Sequence, residues 1–296
     1  MARGSLDLPY TRQYMNTPPY WYHIQQLGTW GLGPFFGALA WAGLLFTIAI
    51  AIKGRRKTDL LLLAWVVPYF LLVGGTHTKF LRYMLPLVPF LAIMGSRLLL
   101  WANDRIARHW VMPAVTGVVL LGTGLYALAY VNIYSQPHPA VQVSQWIRAN
   151  VPTSASLVKE HWEEGLPNLY DYKTSELPLY DPDTPQKTEQ MAQQLSQADY
   201  LVFYSNRLYA TIPRLPQRYP VSTAYYQLLF SGKLGFQMVD FATSYPNLAG
   251  VSVVDDTFSR PGLPVPQPLD SYKPSPFVIN GGFADESFTV YDHPKV

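Results

Sequence analysis

Four apolar stretches within residues 32–131 constrain this chain more than any other feature. They run about Leu32–Ile52, Leu60–Val73, Met84–Leu100 and Val111–Tyr130. A helix needs roughly 20 apolar residues to cross ~30 Å of hydrocarbon, and lipid tolerates no unbonded backbone group. The first and last stretches match that length. The middle two, at 14 and 17 residues, reach it only with flanking residues such as Gly74, Gly75 and Trp101. The expected architecture is an α-helical polytopic membrane region of about four spans (32–131). An external juxtamembrane segment (1–31) precedes it and an extracytoplasmic α/β domain (132–296) follows.

The mean hydropathy of +0.05 averages two dissimilar halves. Residues 1–150 hold 12 Lys/Arg against 3 Asp/Glu, a balance of +9; residues 151–296 hold 10 against 16, a balance of −6. Such asymmetry separates a membrane or polyanion partner from a solvated region. Nucleic acid is a poor partner here, because many of the basic residues sit in short loops between apolar stretches. Cysteine is absent, which excludes disulfides, thiolate nucleophiles and thiolate metal sites. The C-terminal half is large enough to hold its own core without them. Met1–Leu27 is polar and aromatic and does not read as a signal peptide. A chain opening outside the membrane without one predicts a missing upstream portion.

Charge also predicts orientation. Lys53, Arg55, Arg56 and Lys57 in the first loop, with Arg97, Arg105 and Arg108 around the third, put seven cations on one side. Arg3, Arg12, Lys79 and Arg82 put four on the other. The excess of Lys and Arg marks the cytoplasmic side, so the N-terminal segment, the loop Gly74–Tyr83 and the C-terminal half are expected outside. Trp30, Trp41, Trp65, Trp101 and Trp110 lie mostly near the stretch ends, where amphipathic rings favour the headgroup region. Thr17–His23 also reads as interfacial, with a short amphipathic helix over Tyr20–Leu27 ahead of the Gly31/Gly33 break.

Beyond Pro137 and Pro139 the pattern changes. Ala140–Asn150 and Pro185–Gln197 read as amphipathic helices. Ser156–Lys159, Asp199–Tyr204, Gly235–Ala242 and Ser287–Tyr291 read as strands, with Asp199–Tyr204 apolar enough to be central. Alternating strands and helices predict a small α/β domain with a partly parallel sheet. Arg260–Pro276 holds six prolines and reads as an extended surface loop. Gly281-Gly282 is too little for a phosphate loop, so nucleotide binding is weakly supported.

The strongest candidate for chemistry is the loop Gly74–Pro86. Lys79 and Arg82 stand three apart, so a helical start would place them on one face at the outer membrane boundary. An ammionium beside a forked guanidinium holds a phosphate well; equally, both side chains could snorkel as plain anchors. Pro86 and Pro89 add a shaped entry to the third span.

Lys79-Phe80-x-Arg82-Tyr83-x-Leu85-Pro86-x-x-Pro89 resembles part of the GT-C type polyprenyl-phosphate-sugar-dependent membrane glycosyltransferases. It looks most like the bacterial relatives of the protein O-mannosyltransferase and aminoarabinose transferase group. Asp7-x-Pro9-Tyr10-Thr11-Arg12-Gln13-Tyr14, Trp30-Gly31-Leu32-Gly33-Pro34, His138-Pro139-Ala140 with Trp146-Ile147, and Tyr291-Asp292-His293-Pro294 fit the same group. The resemblance implies transfer of a sugar from a polyprenyl-phosphate carrier to an acceptor at the outer face. It covers only the C-terminal portion of such an enzyme. It implies Lys79 and Arg82 as lipid-phosphate contacts with Tyr83 beside them, and, by location, His77 and Arg12. The family's acidic catalytic loop has no counterpart in this chain, so the catalytic residue is unassigned. No metal and no cofactor is required.

Other constellations are weaker. His161-Trp162-Glu163-Glu164 reads as a solvated turn, since adjacent residues do not make a metal site without a further ligand. Asp255-Asp256 reads as a strand-to-loop turn or a site for a cation or sugar hydroxyls. No Gly-x-Ser-x-Gly arrangement supports a hydrolase. The alternative to an enzyme is a non-enzymatic membrane-tethered binding or envelope-assembly protein.

Overall fold

The computed structural model describes residues 8–54 and 57–296. Expectations that rest on Arg3, Asp7, Arg55 and Arg56 fall outside the described residues. The chain divides into two compact units, Met1–Ala129 and Tyr130–Val296.

In the first unit a 3-10 turn, Pro9–Tyr14, leads to the short helix α1, Trp21–Gln26. Four helical segments are long and apolar enough to cross a membrane. They contain α2 (Pro34–Gly54), α3 (Lys57–Gly74), α4 (Val88–Asn103) and α5 (Val111–Val131). The second is longer than its apolar stretch because Lys57, Thr58 and Asp59 continue the helix. The third gains length at its start, where the 3-10 turn Leu81–Leu87 runs directly into α4. Pro86 lies in that turn and Pro89 in the first turn of α4, where a missing N–H costs little.

Small residues set the contact between α2 and α4. Gly37, Ala40, Gly43, Thr47 and Ala51 are buried along α2 at the i,i+3/i+4 spacing of one face. A Cβ on Gly43 would stand 2.4 Å from the Gly95 amide nitrogen of α4, so the two backbones touch as small-residue stripes allow. Asp59 of α3, fully buried, is bonded by the Arg97 guanidinium of α4. Leu45, Ile52, Leu61, Leu72, Leu100, Leu120 and Leu121 stay exposed, the apolar exterior expected of helices solvated by lipid.

The second unit holds α6 (Pro139–Asn150), β1 (Ser156–Glu160), β2 (Lys173–Leu177), α7 (Pro185–Ser196) and β3 (Tyr200–Val202). After α8 (Pro220–Phe230) come β4 (Asn247–Leu248), β5 (Val251–Val254), α9 (Gln267–Asp270), β6 (Phe277–Asn280) and α10 (Glu286–Thr289). One sheet is wholly parallel in the order β2-β1-β3, with Leu157 opposite Tyr200 and Thr174. The other runs β4-β5-β6, antiparallel then parallel. Val143 and Ile147 of α6, Leu157, Leu169, Tyr172 and Ala242 form a buried core cluster. Tyr172 donates its hydroxyl hydrogen to the Val151 carbonyl at 2.9 Å.

Several expectations need correction. The strand predicted over Asp199–Tyr204 is three residues long and lies at a sheet edge; the central strand is β1, whose Leu157 and Val158 are both buried. Ser287–Tyr291 is largely helical, because Asp285 caps α10 by accepting the Ser287 amide at 2.8 Å, a local bond that outweighs β propensity. Gly235–Ala242 forms no strand. The proline-rich stretch encloses α9, and β6 begins immediately after it.

A candidate anion site around Lys79

Tyr20 anchors the loop that follows α3. Its amide donates to the Gly74 carbonyl at 3.0 Å. A side chain on Gly74 would collide with the Tyr20 ring at 2.8 Å, so glycine is needed for this approach. Thr76 then folds the loop back, its hydroxyl bonding the Val73 and Thr78 carbonyls, each at 2.8 Å.

This geometry turns Lys79 inward. Its side chain is buried and its ammonium donates to the His77 carbonyl at 3.1 Å. Among the described residues no carboxylate pairs with it. Burial pulls the Lys79 pKa below the usual ammonium value, as expected for a cation removed from water. In the same unit and within reach of the Lys79 charge, His23 of α1 is fully buried and neither ring nitrogen has a hydrogen-bond partner. Its pKa falls to about 4, first through burial and then through the Lys79 charge, so the imidazole is neutral at pH 7. A neutral imidazole keeps one N–H to donate. Tyr14 packs edge-on against Tyr22 and Phe80, closing the surroundings with aromatic rings.

Arg82 goes the other way. It is exposed, with its guanidinium carbon 4.3 Å from the Phe80 ring centroid and 5.6 Å from that of Tyr83. The shared helical face expected for Lys79 and Arg82 does not form, because the helix starts only at Leu81. Tyr83 is exposed, at 38%, and its carbonyl accepts the Tyr69 hydroxyl at 2.7 Å. Arg12 is buried in the first 3-10 turn, and His77 contributes the carbonyl that holds Lys79. The sequence reading missed His23, which lay unremarked in an interfacial aromatic stretch; no spacing or motif marks a single buried histidine.

The second unit carries its own buried charges. Glu163 belongs to the turn expected to be solvated, yet it is buried, accepting from Ser205 with Arg207 at 3.6 Å. Arg207 also bonds Glu286 and donates to the Trp162 carbonyl at 3.1 Å. Glu160, fully buried, accepts from the Tyr226 hydroxyl and leaves its second oxygen unbonded. Burial and the Glu163 charge push its pKa well up. Asp255 is likewise no open turn: it is buried against Lys295 and Thr257. No group of three or more His, Asp or Glu is placed to hold a metal ion among the described residues.

Comparison with known protein families, characterised proteins and solved structures finds no match to this chain.

Proposed function

We propose that this chain takes part in moving a sugar from a polyprenyl-phosphate carrier to an acceptor at the outer face of a membrane. Its own contribution is to hold the carrier's phosphate through Lys79. The observation that carries this reading is a buried ammonium with no carboxylate partner among the described residues, whose charge reaches an unbonded neutral imidazole. An unpaired buried cation is costly and gains strongly from an arriving anion. In the transfer, the bond between the sugar's anomeric carbon and the phosphate oxygen breaks. A new bond forms to the acceptor oxygen, whose proton passes to a base. Lys79 stabilises the charge that collects on the departing phosphate. The base is assigned to no residue of this chain.

Exposed Arg82, with Tyr83 beside it, offers a second, outer contact. Its fork suits phosphate oxygens where a point charge would not. Resemblance to the GT-C glycosyltransferases supports the same reading, and so do the four apolar helices. Orientation is part of the proposal: residues 132–296 lie outside the cytoplasm. Lys53, Lys57, Arg105 and Arg108 support it, whereas Arg97 is engaged by Asp59. Protease added to intact spheroplasts should remove the C-terminal half; cleavage only after lysis overturns the orientation.

The binding test uses the full chain in nanodiscs with polyprenyl phosphate, the matching polyprenol and phosphatidylglycerol. Binding should require the monophosphate, and Lys79→Met should weaken it about 10- to 100-fold, the loss of one charge-assisted bond. Arg82→Lys should remain impaired. Equal affinity for polyprenol, or normal binding by the Lys79→Met, Arg82→Ala double variant, refutes the site.

A further inference from the structure

The second unit contains a cleft of about 570 Å³, within the range of specific ligand sites. One wall is Asp199–Phe203, including β3. The other is Gly235–Phe241, and Trp146, Phe230 and Phe258 are among the side chains between them. Among the described residues β3 pairs with β1 alone, so its outer edge carries no strand. The facing wall has the character of a strand without its bonds. From Leu234 to Asp240 the residues alternate strictly between half-buried and exposed, the two-residue period of a pleated chain. Yet among the described residues none from Gly235 to Phe241 shares a backbone hydrogen bond with another segment. At Ala242 the pattern resumes, with two mutual 3.0 Å bonds to Val296.

We infer that this cleft is a docking groove for an extended, basic polypeptide strand supplied by a partner. Two walls with unused backbone donors and acceptors call for an occupant that has both. An inserted strand supplies them along its length, as in strand addition to an open sheet edge. An apolar chain would cover the same amides without bonding them, at the full cost of their desolvation. Alternate side chains of the occupant would meet the aromatic floor. The charge follows from Asp199 and Asp240 on the two walls and from the acidic excess of residues 151–296. The one lysine lining the cleft, Lys295, is committed to Asp255. This inference does not depend on the role proposed for Lys79.

Selection of displayed random decapeptides against the full chain in nanodiscs tests it. Enriched peptides should carry Lys or Arg and alternate apolar residues. Bound, they should slow amide hydrogen exchange at Tyr200–Phe203 and Gly235–Phe241. N-methylation of alternate peptide amides should weaken binding at least tenfold. Val239 lines the cleft and is 60% exposed, so Val239→Lys should keep the fold, verified by an unchanged melting temperature, while weakening binding at least tenfold. The inference fails if no enriched peptide is sensitive to Val239→Lys, if N-methylation is harmless, or if protection falls elsewhere. It also fails if polyprenol gives the same protection as the peptides, which would make the cleft an apolar-ligand pocket.

Discussion

The Lys295 ammonium stands 2.6 and 2.7 Å from the two carboxylate oxygens of Asp255, with both side chains buried. The pair ties the end of the described chain to the loop after β5. Burial alone would raise the Asp255 pKa, but Lys295 and then His293 outweigh it and hold the group below its ordinary value. A depressed carboxylate pKa contributes stability above the unfolded value of 3.8 and loses it as pH falls through the folded value. Lys295→Met should therefore cost about 3–5 kcal/mol near neutral pH and shrink toward wild type in acid. Thermal melting of the full chain from pH 7 to pH 3 checks the sign. A constant deficit across that range would contradict it.

Arg207 serves two buried carboxylates, Glu163 and Glu286. Burial raises the Glu286 pKa to about 7 despite the guanidinium. A raised carboxylate pKa favours the folded state below the unfolded value of 4.5, and that contribution disappears as pH rises through about 7. Melting of the second unit should accordingly weaken between pH 4.5 and pH 7, by up to roughly 3 kcal/mol. Glu286→Gln should flatten this slope, as melting curves of the two proteins will show. An unchanged slope would assign the proton to another group.

Glu160 and Tyr226 separate two kinds of substitution at one bond. Burial and the Glu163 charge push the Glu160 pKa well up, which favours the protonated, neutral carboxyl. Glu160→Gln should then change stability by less than about 1 kcal/mol, whereas Tyr226→Phe strands a buried oxygen and should cost about 1–3 kcal/mol. Denaturation at pH 7 ranks the two variants. The reverse order would mean that Glu160 is ionised.

At the α2–α4 contact, Gly43 leaves no space for a side chain. Gly43→Val should overpack the pair by about 1–3 kcal/mol, while Gly54→Ala, with open space around it, should be nearly silent. Thermal unfolding of both variants in nanodiscs makes the comparison, and equal effects would show that the close approach does not matter.

The apolar stretches were readable because length and hydropathy act over many residues, and the helices α6 and α7 because capping and periodicity agree. Strands were read less well. Lys173–Leu177 is polar, with only Leu177 buried, so β2 gave no alternating signal; it is held partly by Lys159 bonding Glu176 at 2.8 Å. Gly235–Ala242 had the opposite fault: its alternation was real, but ladder bonds need a neighbour that sequence periodicity cannot name. At the candidate site, Lys79 was visible as a cation at a span boundary. Its burial was not, because it depends on Tyr20, Gly74 and Thr76 folding the loop inward. The buried states of Glu163 and Asp255 depend on Arg207 and Lys295, each some 40 residues away, beyond any local pattern.

The mutual bonds between Ala242 and Val296 also bear on the order of assembly. Val296 packs against the cluster built on α6 and β1, so the earliest elements of the second unit are completed by its most distal one. During synthesis, the surface reserved for Val296 remains uncovered while nearly the entire unit is made. Contacts so far apart in the chain form slowly, and exposed apolar surface invites wrong associations in the interval. A nascent chain arrested before Phe277 should therefore recruit folding helpers that a chain extended through Val296 no longer needs.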